Sequence, residues 1–120
     1  MSDAITTFFR AWSETGPKAR RALIDDSFAA DGIYSDPRSG ARLDDNGAIA
    51  DYVGMFSANA PGWTARVEKT DEVNGYHRAI IAFGGKGPDG TDMVQHGTYF
   101  GTLDDTGKLT LLAGFVGTGA

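Results

Sequence analysis

The residues best equipped for chemistry lie in one stretch, Phe28 to Pro37, which reads FAADGIYSDP. Pro37 disfavours the helical region for the residue before it, so Asp36 is expected in extended backbone. The two-residue period of extended chain then puts Tyr34 and Asp36 on one face. A carboxylate beside an aromatic ring in a partly dry pocket can remove a proton next to a carbonyl, which makes Asp36 the candidate general base. The same carboxylate could instead cap the backbone of an Asp-Pro turn. The residues by themselves leave both roles open.

Other chemistry is sparse. The chain has no cysteine and two histidines, His77 and His96. That excludes disulfides, thiolate metal sites and a cysteine nucleophile, and it leaves too few imidazoles for a converging zinc site. His77 and His96 stand on neighbouring predicted strands with opposite facing, which separates them and argues against a histidine pair. Gly85 to Gly90, GKGPDG, matches the letters of a dinucleotide fingerprint, but it lies between two predicted strands and opens no helix that could receive a pyrophosphate. No metal and no cofactor are expected. A net charge of −5 argues against nucleic acid and anionic membrane as partners. No apolar run approaches the ~18 residues of a membrane span. The N-terminal MSDAITTFFRAW lacks the basic-then-apolar pattern of a secretory leader. With cysteine absent as well, the expected location is the cytoplasm.

The elements that must position Asp36 follow from periodicity. At 120 residues and 41% hydrophobic content, residues 1–120 make one domain with a single core and room for a cavity. The 17 glycines favour a fold rich in turns and sheet. Ile5, Phe8, Phe9 and Trp12 recur at helical spacing behind a Ser2 or Asp3 cap, and this helix is expected to end near Thr15 and Gly16. Pro17 opens a second helix with Ala22, Leu23, Ile24 and Phe28 inward and Lys18, Arg20 and Arg21 in solvent; Asp31 and Gly32 are expected to turn it. Asp44, Asp45 or Asn46 caps a third helix that carries Ile49, Tyr52, Val53 and Phe56 on one side. Four strands follow, Trp63 to Val73, Tyr76 to Gly84, Met93 to Leu103 and Leu109 to Gly117, divided by turns at Asn74-Gly75, Gly87 to Gly90 and Asp104 to Gly107. If Tyr99 faces the core, Gln95, Gly97 and Gly101 share its face, while His96, Thr98 and Phe100 point away.

In this ααβαββββ order the chain resembles the nuclear transport factor 2-like superfamily, in its SnoaL-like and ketosteroid-isomerase-like branch. The resemblance rests on Trp12, Phe28-Ala29-Ala30-Asp31, Tyr34-Ser35-Asp36-Pro37, Gly47-Ala48-Ile49, Asn74-Gly75, Asp105 to Leu109 and Gly114-Phe115. It implies an α+β cone, in which three helices pack on a strongly curved, largely antiparallel sheet around an apolar pocket. It also implies a small hydrophobic molecule as partner and a homodimer through the outer sheet face. The superfamily includes isomerases, cyclases, dehydratases, epoxide hydrolases and binding modules without catalysis. In the steroid isomerases the base is the Asp of an Asp-Pro pair, which falls on Asp36. Their oxyanion hole uses a tyrosine and a protonated aspartate, and the corresponding positions here are Trp12 and Tyr99, which would form an altered donor pair. The implied pocket wall comprises Tyr34, Tyr52, Val53, Phe56 and Leu112. The implied activity is proton transfer of isomerase or cyclase type on a carbonyl-bearing ligand; the alternative is a module of the same fold that only binds or oligomerises.

Overall fold

The computed structural model describes residues 3–118, which form three helices and five strands. Helix α1 (Ala4–Trp12) starts on Asp3, whose Oδ1 accepts from the Thr6 N–H at 2.8 Å. Its stripe of Ile5, Phe8, Phe9 and Trp12 is buried. The proposed Ser2 cap lies outside the described residues. The helix stops at Trp12, short of the expected Thr15. There the N–H groups of Ser13 and Glu14 turn to the carbonyls three residues back, Arg10 at 3.1 Å and Ala11 at 3.2 Å, which tightens and ends the helix. Arg20 Nη2 donates to the carbonyls of Glu14 at 2.9 Å and Thr15 at 3.3 Å in the connection that follows.

Helix α2 (Pro17–Ser27) opens on its proline as expected, but its inward stripe is different. Arg20, Ile24 and Ser27 are buried, and Ala22 is exposed. Arg20 was expected in solvent. It reaches instead toward helix α3 (Asn46–Asn59), where Gly54 leaves it room: a Cβ there would stand 2.9 Å from Nη1. Lys18 and Arg21 remain exposed.

No turn follows α2. Strand β1 (Phe28–Ser35) begins at the next residue and carries Asp31 and Gly32 within it, across a register shift between Phe28 and Ile33. An irregularity in a strand uses the same small and polar residues as a turn. Here Gly32 is needed for close approach, because a Cβ would meet the Phe28 ring at 2.6 Å and the Leu109 carbonyl at 2.7 Å. Asp45 caps α3 through the Ala48 N–H at 2.7 Å.

Strands β2 (Thr64–Val73), β3 (Tyr76–Lys86), β4 (Asp92–Leu103) and β5 (Leu109–Val116) complete a five-stranded mixed sheet. The order is β1-β5-β4-β3-β2, with β1 parallel to β5 and all other pairs antiparallel. Asn74 and Gly75, both at positive φ, make the two-residue turn between β2 and β3. Register aligns Ala79, Tyr99 and Gly114, so Tyr99 points toward the helices together with Gly97 and Gly101. Gly114 must be bare, since a Cβ would lie 2.6 Å from the Tyr99 ring carbon Cζ. His96 turns the other way, with Nε2 3.1 Å from Glu68 Oε1. Phe8, Phe9, Phe28, Ile24, Ile49, Leu109 and Leu112 fill the space between helices and sheet. The sheet does not close on itself; helices against one face give the cone-like α+β layout.

Candidate functional site

Asp36 follows the last residue of β1 and is held by its own turn. Its Oδ1 accepts from the backbone N–H groups of Arg38 at 2.9 Å and Ser39 at 2.8 Å. Tyr34 and Leu43 exchange both backbone hydrogen bonds, at 2.9 and 2.8 Å, which closes the loop between them. The carboxylate therefore has a fixed position at the loop's base. It is a turn cap on one side.

On its other side it collects phenols. Tyr34 donates from Oη to Oδ2 at 2.6 Å, as the shared face of Tyr34 and Asp36 requires. Tyr52, from α3, lies 2.7 Å from Oδ1 and 2.8 Å from Oδ2. Tyr99, from β4, places Oη 3.1 Å from that of Tyr34. A phenol has one hydrogen. Tyr34 gives its hydrogen to Asp36, so Tyr99 must be the donor to Tyr34 and turns only lone pairs to other neighbours. Three elements distant in sequence thus converge on one carboxylate.

Their environment keeps these phenols protonated. Burial pushes the Tyr34 hydroxyl well above its ordinary value, and the neighbouring Tyr99 and Asp36 add to this. Tyr52 is also raised, first by burial and then by its hydrogen bond to Asp36 and that group's charge. For Tyr99 burial raises the value, the Tyr34 hydrogen bond pulls it back and the charge of Asp36 raises it again, with a net increase. All three are neutral near pH 7.

The cluster forms part of the wall of a cavity of about 910 Å³. Trp12, Phe56 and Phe83 pack edge to face or tilted against one another with centroids 5.1–5.9 Å apart and form its apolar side. Asp36, Tyr52 and Tyr99 form the polar side, and Arg38, Met55, Trp63 and Gln95 extend the lining. The Trp12 indole N–H is buried without an acceptor. Of the expected wall, Tyr52 and Phe56 border the cavity. Tyr34 contributes its hydroxyl from within the core, and Val53 and Leu112 are fully buried behind the wall.

Phe83 and Trp63 were not singled out in the sequence. Phe83 could have been, because the period of two aligns it with Ile81 on the inward face of β3. Trp63 carried no comparable signal; its ring covers Gly85 and its Nε1 donates to the Lys86 carbonyl at 3.0 Å. A second groove, of about 500 Å³, runs between α1 and β2, away from the phenol cluster. Among the described residues no group of three or more His, Cys, Asp or Glu is placed to hold a metal ion, and no helix is long and apolar enough to cross a membrane. His77 lies opposite Gly101 and His96 opposite Ala82, well apart along β3 and β4.

No protein-family model and no curated protein sequence matches the chain. Solved structures do resemble it. A candidate isomerase of the SnoaL-like family from Agrobacterium tumefaciens is 23% identical and superposes with a TM-score of 0.80 over 96% of this chain and 95% of that one. A protein of ketosteroid-isomerase-like fold from Catenulispora acidiphila, solved in complex with trimethylamine, is 20% identical with a TM-score of 0.76 over 95% and 85% of the two chains. A candidate polyketide cyclase from Sinorhizobium meliloti is 22% identical with a TM-score of 0.69 over 95% and 94%. At these identities the likeness is one of fold, and it establishes the nuclear transport factor 2-like, SnoaL-like fold for this chain.

Proposed function

We propose that the protein binds a small, hydrophobic, carbonyl-bearing molecule in this cavity and transfers a proton on it, with Asp36 as general base. The observation that carries the proposal is a carboxylate at the edge of an aromatic cavity, oriented by its own turn and surrounded by neutral phenols. A base fixed in this way requires little reorganisation when the ligand arrives. The step would begin with transfer of a C–H proton α to the carbonyl to a carboxylate oxygen of Asp36. The electron pair of that bond becomes the C=C of an enolate, and the charge goes to the former carbonyl oxygen. Return of the proton to a different carbon gives an isomer; attack of the enolate carbon on a second carbonyl closes a ring, and the alkoxide left on that oxygen takes the proton back from Asp36. Neither path needs a cofactor, and both suit the cytoplasm. Of the two expected oxyanion donors, Trp12 has an N–H without an acceptor, whereas Tyr99 has its hydrogen engaged by Tyr34. The candidate isomerase and candidate cyclase of the same fold support this class of chemistry.

The test is deuterium exchange in D₂O, followed by NMR on a panel of bicyclic and tricyclic ketones and 1,3-diketones. Asp36→Asn should slow exchange by about 10²–10⁴-fold, the range of a general base, with the fold retained by circular dichroism. Equal exchange in wild type and variant on a ketone that binds would refute the assignment.

A second reading is self-assembly through the outer sheet face, and it is favoured by that face. Tyr76 and Phe100 stack there with centroids 5.8 Å apart while remaining 57% and 39% exposed, and Phe115 is 62% exposed. Apolar rings grouped on an open sheet face are the usual material of a dimer interface. Assembly is compatible with either catalysis or simple ligand binding in the cone.

A further inference from the structure

The hydrogen bonds around Asp36 leave no room for an incoming proton. An ionised carboxylate offers about four acceptor positions. The N–H groups of Arg38 and Ser39 take both positions on Oδ1, the O–H of Tyr34 takes one on Oδ2, and the Tyr52 hydrogen, within reach of both oxygens, covers the remaining one on Oδ2 at 2.8 Å. One donor must leave before Asp36 can act as a base. The two N–H groups belong to the turn that positions the residue. Tyr34 is fully buried and held between Asp36 and Tyr99.

Tyr52 differs in every respect. It comes from a separate element, borders the cavity, and shares its single hydrogen between both carboxylate oxygens, at 2.7 and 2.8 Å. A shared hydrogen is the one most easily redirected.

We infer that Tyr52 is a two-position donor, bridging Asp36 in the empty site and turning to a ligand oxygen when one enters. This inference rests on the proposed function and adds the donor for its ligand oxygen. Tyr52 keeps its proton throughout; only the hydrogen bond moves. Its departure exposes a lone pair on Oδ2, and the same movement supplies the O–H that receives enolate charge. Tyr52 Oη and Asp36 Oδ2 are 2.8 Å apart, a spacing that suits a carbonyl oxygen on one and the hydrogen of its own α-carbon on the other. A hydrocarbon of the same shape leaves Tyr52 on Asp36 and the base closed.

The test uses 2-acetylnaphthalene, which carries a carbonyl, and 2-ethylnaphthalene, which matches its shape without one. The infrared stretch of the carbonyl bound to wild type should be lowered relative to the ketone in hydrocarbon solvent, and Tyr52→Phe should lose that lowering. A lowered stretch that persists in the variant would assign the donor to another group and overturn the inference. An unshifted stretch in wild type would overturn it even if the variant does not fold, while binding of 2-ethylnaphthalene would leave the ligand-binding cavity intact. Failure of wild type to bind either naphthalene would remove the proposed function and this inference with it.

Discussion

Tyr34→Phe removes one oxygen from the centre of the hydroxyl chain, and its cost can be worked out from the partners. The ring is fully buried against Phe8, Trp12 and Tyr99, and phenylalanine preserves those contacts, so no cavity forms. The variant loses the 2.6 Å bond to an ionised carboxylate, worth about 1.5–3 kcal/mol net. It also deprives the Tyr99 hydroxyl of its acceptor. Tyr99 borders the cavity, where water can replace part of that bond, so this second loss belongs near 1 kcal/mol, the low end for an orphaned polar group. The expected destabilisation is about 3 kcal/mol, read from urea unfolding followed by circular dichroism with an unchanged m-value. Tyr99→Phe should cost about 1 kcal/mol, and the double variant less than the sum of the two. Once Tyr34 has no hydroxyl, deleting that of Tyr99 removes an orphan instead of a bond. A loss below about 0.5 kcal/mol in Tyr34→Phe, or strict additivity in the cycle, would refute the chain of donors ending on Asp36.

The same phenols should govern alkaline stability. The folded protein holds the protons of Tyr34 and Tyr99 above their ordinary value, while the unfolded chain releases them near pH 10. Their contribution is thus fully present below pH 10 and is lost as pH rises, by about 1.4 kcal/mol per unit for each group. Tyr52, more open to solvent, adds a smaller share. The slope of unfolding free energy between pH 10 and 11 should therefore be shallower in Tyr99→Phe than in wild type by about 1 kcal/mol per unit, because an unfolded tyrosine is only part-titrated there, and equal slopes would refute the burial argument. On the outer sheet face, sedimentation of wild type should give twice the 12.7 kDa chain mass, and Phe100→Glu should give the single-chain mass at the same concentration. A wild type that is monomeric at high micromolar concentration would end the self-assembly reading.

Elements whose local and tertiary signals agree were legible in the sequence. The α1 stripe, the Pro17 start and the Asn74-Gly75 turn all follow from spacing or turn chemistry that the packed fold has no reason to override, while the inward Tyr99 was an expectation from the family resemblance. The misreadings occur where a tertiary partner decides. Arg20 reads as a surface cation on its helix, but the missing side chain of Gly54, on a helix remote in sequence, makes its buried position possible. Asp31 and Gly32 carry turn composition, and only the pairing of β1 with β5 shows that the glycine serves close packing inside a strand.

At the site, the local pair was legible and the distant contacts were not. Pro37 and a period of two brought Tyr34 and Asp36 together, and the 2.6 Å bond agrees with that. Nothing local says that Tyr52, from a helix, shares its hydrogen between both oxygens of the same carboxylate, or that Tyr99 gives its own hydrogen to Tyr34. Those contacts change what the residues can do. Described singly, each tyrosine is a pocket wall with a polar tip; together they fix the direction of every hydroxyl. The direction determines function, because a donor turned toward Asp36 is unavailable to a ligand until it moves. Among the phenols, only Tyr52 both borders the cavity and donates to the carboxylate. In the proposed mechanism, access to the Asp36 carboxylate is thereby tied to what occupies the cavity.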